Sequence, residues 1–182
     1  MRNALVLLSA LALSAATWSK IQSQVQSQLA KLSDAQVLGV LTAANDAELD
    51  AARLAQAKAA DPHVKGFAEH MSADHSASNT EVGALARRLN ISPQTSAESG
   101  SLTQTAKSEK DVLGSLQGAA FDQAYMDRQV ADHQTVLDTI DKTLLPSASS
   151  LDLKALLQKA RDMVSEHLQS ARTIQAQLTG KR

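Results

Sequence analysis

Glu48, His75, His133 and His167 are the residues of this chain whose types and positions could do chemistry together. Each falls on the apolar stripe of a different predicted helix, near that helix's middle. Burying a carboxylate is costly unless it is paired or coordinated. Neutral imidazole is the commonest nitrogen ligand of transition metals. At one depth in a four-helix bundle the four side chains would face one another. Three imidazoles and one carboxylate then form a mononuclear site for zinc, iron or copper. The competing arrangement is a metal-free polar network, with Glu48 accepting hydrogen bonds from the histidines.

An acid precedes each of these histidines: Asp74, Asp132 and Glu166. One residue along a helix is about 100° of rotation, so the acids flank the stripe. They are candidate acceptors for the imidazole N–H of a neighbouring helix, or solvated carboxylates. Asn79, one turn beyond His75, Tyr125, two turns before His133, and Asp122, earlier on the stripe of His133, are further polar candidates near the site. His63 and His70 lie off the stripe centre and read as surface residues.

The elements that must position these groups are four helices. Ser33-Asp34-Ala35-Gln36 is a capping box. The stripe it opens runs Val37, Leu41, Ala44, Glu48, Ala52, Ala55, Ala59. Asp61-Pro62 ends that helix and starts the second, whose stripe passes Val64, Phe67, Met71, His75, Val82 and Leu85 before Asn90 and Pro93. The third carries Asp122, Met126, Gln129, Val130, His133, Leu137 and Ile140, and Pro146 should end it. The fourth opens near 149–151 and carries Leu153, Leu156, Ala160, Met163, Val164, His167, Ala171, Ile174 and Leu178. Leu41, Met71, Val82, Ile140, Leu156 and Ile174 should be buried. The polar stretch 94–118 is long for a bundle loop. It reads either as a crossover along the bundle or as a short helix over one end. The fold class is therefore all-α, a ferritin-like four-helix bundle with a long connection between the second and third helices.

Bulk composition narrows the function. The 182 residues suit one domain with short extras, and 43% hydrophobic residues exclude a disordered chain. Lys+Arg 18 against Asp+Glu 19, with no basic patch, argues against nucleic acid as a partner. With no cysteine, a metal must be held by nitrogen and oxygen. The residues three before the histidines are Ser72, Val130 and Val164, so the Glu-x-x-His pairs of a di-iron bundle are absent. No P-loop, Gly-rich nucleotide fingerprint or Ser/His/Asp motif is present.

Arg2, the short apolar run from Ala4 to Ala16 and the small residues Ser14-Ala15-Ala16 form the pattern of a cleaved secretory signal. The expected organisation is a signal peptide over 1–16, a Gln/Ser-rich tether over 17–33 and the bundle over 34–180. No second apolar run follows, so no stable membrane insertion is expected after cleavage. A periplasmic location fits this reading.

Four stretches carry a family resemblance: VLTAANDAELDAARLA, DPHVKGFAEHMSADHSASNTEV, GAAFDQAYMDRQVADHQTVL and LLQKARDMVSEHLQSA, together covering about residues 37–178. In these the chain resembles bacterial ferritin-like proteins of a widespread domain of unknown function, often labelled exported or outer-membrane proteins. The resemblance implies a secreted bundle of the ferritin superfamily and no established activity. It implies recurring polar positions at Glu48, Asp74, His75, Asn79, Asp122, Tyr125, Asp132, His133 and His167. The sequence itself has no amphipathic barrel strands to support an outer-membrane label.

The function expected from these residues is an exported metal-binding bundle, its metal stored, sensed or structural. Four protein ligands would close the coordination sphere, which favours a non-enzymatic role. A metal-free interaction or stress-response module and a redox enzyme at an open iron or copper site are the alternatives.

Overall fold

The computed structural model describes residues 17–20 and 31–180. The expected signal peptide, and the tether over 21–30, lie outside the described residues. Residues 17–20 are helical with Trp18 exposed, and belong to a unit separate from the bundle, Leu32–Arg182.

Five helices build the bundle unit: α1 (Asp34–Lys58), α2 (Pro62–Leu89), α3 (Ala97–Gly114), α4 (Gly118–Thr139) and α5 (Leu151–Gly180). No strand occurs among the described residues. The caps form where the sequence places them. Ser33 Oγ accepts from Gln36 N–H while the Gln36 side chain accepts from Ser33 N–H, and Asp61 caps α2 with Pro62 in its first turn. Asn90 stops α2 in the left-handed conformation, φ 55°, which asparagine tolerates better than most residues.

α1 and α2 pack as one hairpin, α4 and α5 as another. The stretch 94–118 joins them through α3, a full helix lying along α1. The stretch is the crossover along the bundle, built as a helix, and not a short helix over one end. Gln94 N–H donates to Ala35 O at the start of α1 (2.9 Å), and Lys58 Nζ bonds Gly114 O at the other end. The helix directions are thus α1 up, α2 down, α4 down, α5 up, the single-crossover connectivity that ferritin-like folds also use. Gly39 is required where the connection crosses α1, because a Cβ there would overlap the Gln94 carbonyl.

The third helix does not stop cleanly at its proline. α4 passes into a π-helical stretch, Ile140–Leu144, and a last turn, Leu145–Ser147, before the chain leaves. A proline ring clashes with the carbonyl four residues back in a regular helix, and the wider π winding ahead of Pro146 relieves that clash. Asp34 then receives Ser149 and Ser150 N–H at 2.8 and 3.1 Å, fixing the start of α5 beside the start of α1.

Leu41, Met71, Val82 and Ile140 are buried, as expected. Leu156 and Ile174 are only partly buried, and Leu157 and Leu168 fill the core of α5 instead. The expected stripe of α5 is buried at Leu153, Ala160, Val164, His167 and Ala171, and shifts by one residue at Leu157. The apolar core falls into two clusters. One gathers Val37, Leu38, Val82, Ile140 and Leu157, and the other Ala52, Phe67, Met71, Phe121 and Ala171. Between the two clusters each of α1, α2, α4 and α5 buries polar side chains: Asn45 and Glu48, His75, Gln129 and His133, and His167.

Candidate metal centre

This polar layer brings together the three histidines found by periodicity. His75, His133 and His167 each place one ring nitrogen within 4.8 Å of one ring nitrogen of the other two. Their ring centroids are 6.1 Å apart for His75–His133, 5.3 Å for His75–His167 and 5.4 Å for His133–His167.

Each ring is held from outside by one nitrogen. His75 Nδ1 lies 2.9 Å from Asn45 Oδ1, His133 Nδ1 lies 2.9 Å from the Gln129 carbonyl one turn back on α4, and His167 Nε2 lies 2.9 Å from Asp74 Oδ2 on α2. All three partners are acceptors. A carbonyl and a carboxylate can only accept, and Asn45 Nδ2 already donates to Ser78 Oγ and Asn79 Oδ1, leaving Oδ1 toward His75. Each outer nitrogen therefore carries the proton. The inner nitrogens, His75 Nε2, His133 Nε2 and His167 Nδ1, are left as bare lone pairs, and all three are buried without a hydrogen-bond partner.

Electrostatics keep these rings neutral. Burial, then the neighbouring rings of His133 and His167, push His75 down to about 3. Burial pushes His133 down to about 4 against the opposing pull of the Gln129 carbonyl and Asp132. His167 is also lowered, chiefly by burial, although its bond to Asp74 opposes this.

Glu48 is buried beside this group but stands outside it. Its Oε2 accepts from Gln129 Nε2 at 2.9 Å, and its Oε1 lies 3.8 Å from His133 Nδ1, the outward, proton-bearing nitrogen. The structure thus separates the four residues that the sequence grouped: three imidazoles converge, and the carboxylate flanks them. Burial raises the Glu48 pKa, and the Gln129 bond only partly offsets this.

Glu48 lines two cavities. A small one of about 20 Å³ is lined by Glu48, Asn45, His75 and His133 with aliphatic walls including Ala44, Ala160 and Ile140. A groove of about 1230 Å³ runs between α3 and the α1–α4 face and also reaches Glu48 and Gln129.

The flanking acids take different places. Asp74 holds His167, the role expected of an acid preceding a histidine on a neighbouring helix. Asp132 pairs with Arg128 at 3.4 Å, and burial raises it to about 6, with Arg128 opposing and Glu48 adding to the rise. Glu166 is exposed. Asn79 acts at one remove, orienting Asn45 while donating to Asp46 Oδ1 at 2.8 Å. Asp122 is not at the histidines. Its carboxylate accepts from Ala60 and Asp61 N–H at 3.0 and 2.8 Å, fastening the α1–α2 turn to α4. Tyr125 packs against Phe67 and Phe121 with ring centroids 6.3 and 6.0 Å away, and its buried hydroxyl has no hydrogen-bond partner. His63 and His70 are exposed. Asn45 was missed by sequence reasoning, although a polar amide three residues before Glu48 on the same face was the available signal. Gln129 was read only as part of a stripe.

No curated protein sequence matches the chain. Among solved structures, a secreted DUF305 protein from Streptomyces coelicolor superposes with a TM-score of 0.68 at 10% identity, covering 80% of this chain and 93% of that one. At that identity the likeness shows a shared helical fold. Neither comparison carries the ferritin-superfamily kinship or the outer-membrane label that the resemblance suggested. No described helix is long and apolar enough to cross a membrane. Residues 19–174 match a family described as a domain of unknown function, DUF4142, and the chain belongs to that family.

Proposed function

We propose that the protein binds one transition-metal ion through His75 Nε2, His133 Nε2 and His167 Nδ1, and that it does so as an exported protein. The observation that carries this reading is the tautomer set. Three buried ring nitrogens have no donor to satisfy their lone pairs, on three rings that each bring one nitrogen within 4.8 Å of one nitrogen of the other two. Each unsatisfied buried polar atom costs about 1–3 kcal/mol. In a metal-free network the same three rings would be expected to donate to one another or to Glu48. Instead their N–H groups all point outward, to Asn45, Gln129 and Asp74. That is the outer-shell arrangement that orients metal-binding histidines.

Three imidazoles suit zinc, copper or iron. Glu48 contributes negative charge beside the ion, as a flanking group held by Gln129. Export is supported by the N-terminal sequence pattern and by the secreted character of the structural neighbour. Storage, sensing and a structural role are all compatible with this site.

Elemental analysis of protein purified without chelator, together with titration of stripped protein, tests the reading. One equivalent of bound metal, lost in His133→Ala, is expected. Protein that contains no metal and takes up none after stripping overturns it.

A further inference from the structure

The cavity of about 20 Å³ adjoins two of the three histidines. It has room for roughly one water molecule. Its polar lining is Asn45, Glu48, His75 and His133, and the rest is aliphatic apart from the thioether of Met163. Three protein ligands leave a first-row ion short of a complete sphere. Glu48 Oε2 is occupied by Gln129, while Oε1 lies 3.8 Å from His133 Nδ1. A small hydroxylic molecule in this space would meet the ion on one side and an acceptor oxygen on the other.

We propose that the cavity between Glu48, His75 and His133 is an exogenous-ligand site, in which a single water, hydroxide or similarly small hydroxylic molecule completes the metal's coordination and donates a hydrogen bond to Glu48. This rests on the three-histidine metal reading. The cavity's size sets the ligand class, because aliphatic walls at Ala44, Ile140 and Ala160 leave no space for a larger group. Its lining sets the chemistry, because Glu48 is the acidic group that faces it. Glu48 also lines the groove beneath α3. The site is thus of the kind that keeps an open position, in contrast to the closed four-ligand sphere inferred from sequence.

Cu(II) is the suitable probe ion, since it binds nitrogen sites most tightly in its series and is paramagnetic. Stripped protein is loaded with Cu(II), freed of excess ion by gel filtration and transferred to heavy water. Electron–nuclear double resonance should show strongly coupled exchangeable deuterons from a metal-bound water. Filling the cavity with Ala160→Leu, or with the milder Ala44→Val, should abolish that signal while one equivalent of copper stays bound. Glu48→Gln should keep both copper and the signal. If Glu48 itself completes the sphere, the wild type lacks the signal and Glu48→Gln gains it, which overturns the proposal. Persistence of the signal in both folded, filled variants overturns it as well. Protein that retains no copper overturns the underlying metal reading instead.

Discussion

His75 Nδ1 sits 2.9 Å from Asn45 Oδ1, and the Asn45 amide can turn no other way, because Ser78 and Asn79 take both of its N–H groups. One carboxamide on α1 therefore fixes the proton of a ring on α2. The consequence reaches across the bundle, since it leaves His75 Nε2 as a bare, buried lone pair on a ring packed against those of His133 and His167. Removing that orienting group should weaken metal binding without unfolding the bundle. Asn45→Ala is expected to lower affinity by roughly 10- to 100-fold, the usual effect of losing such a partner. Competition against a chelator of known affinity measures it. Unchanged affinity would show that Asn45 does not position the ring.

Asp74 does the same for His167 but from the half-exposed surface of α2, where its side chain is 45% accessible. Water can take over there as acceptor for His167 Nε2–H. Asp74→Ala should therefore weaken binding less than Asn45→Ala in the same competition assay. A larger loss in Asp74→Ala would mean that its negative charge, more than its geometry, holds the metal.

Much of this centre was legible from sequence because it obeys the helical period. The buried stripe, the caps at Ser33 and Asp61 and the mid-helix depth of His75, His133 and His167 are all local properties. The position of Glu48 was less legible. It shares the stripe, but Gln129 reaches it from α4 and holds its carboxylate away from the inner nitrogens, a contact separated by 81 residues in the chain. Asp122 misled for a related reason. Its stripe position is real and its burial is real, yet its partners are backbone N–H groups at the α1–α2 turn, which no side-chain pattern marks. The crossover was uncertain because α3 is so polar that Ser99 and Leu113 are the buried residues on it. A helix held at its ends over a groove leaves a weak hydrophobic period.

Gly39 offers a test of that crossover. A methyl group there would overlap the Gln94 carbonyl, backbone that is itself bonded to Ala35. Gly39→Ala should destabilise the protein by about 1–3 kcal/mol, the range for overpacking, despite alanine's higher helix propensity. Chemical denaturation measures it. A stabilised Gly39→Ala variant would show that the 94–96 connection does not cross α1 there.

Acid should unfold the metal-free protein in a window set by its histidines. His75 and His133 are lowered to about 3 and about 4 in the fold, against an ordinary value of 6.5. Between those limits the unfolded chain binds more protons, so stability is full above about pH 6.5 and falls as pH falls. By about pH 5 each ring costs about 2 kcal/mol, at 1.36 kcal/mol per pKa unit. Glu48 and Asp132, the latter raised to about 6, oppose this, because a raised value favours the folded state as the carboxylate gains a proton. Urea unfolding of the stripped protein across this range should show the net loss. A flat profile would mean that the rings are protonated or paired in the folded state.

Metal should then be part of the folding free energy. A ligand that binds only the folded state adds about 2.7 kcal/mol at a free concentration 100 times its Kd. Chelation should therefore lower the melting temperature of the loaded wild type. His133→Ala removes an inner ligand and leaves a hole in a layer where His133 is 1% exposed, so it should melt lower still, and its melting temperature should no longer respond to chelator or to added metal. The double comparison separates coordination from packing. Packing loss alone would lower the variant's melting temperature while leaving the wild type indifferent to chelator, and that outcome, on protein first shown to have been offered metal, would leave the three histidines as a structural network.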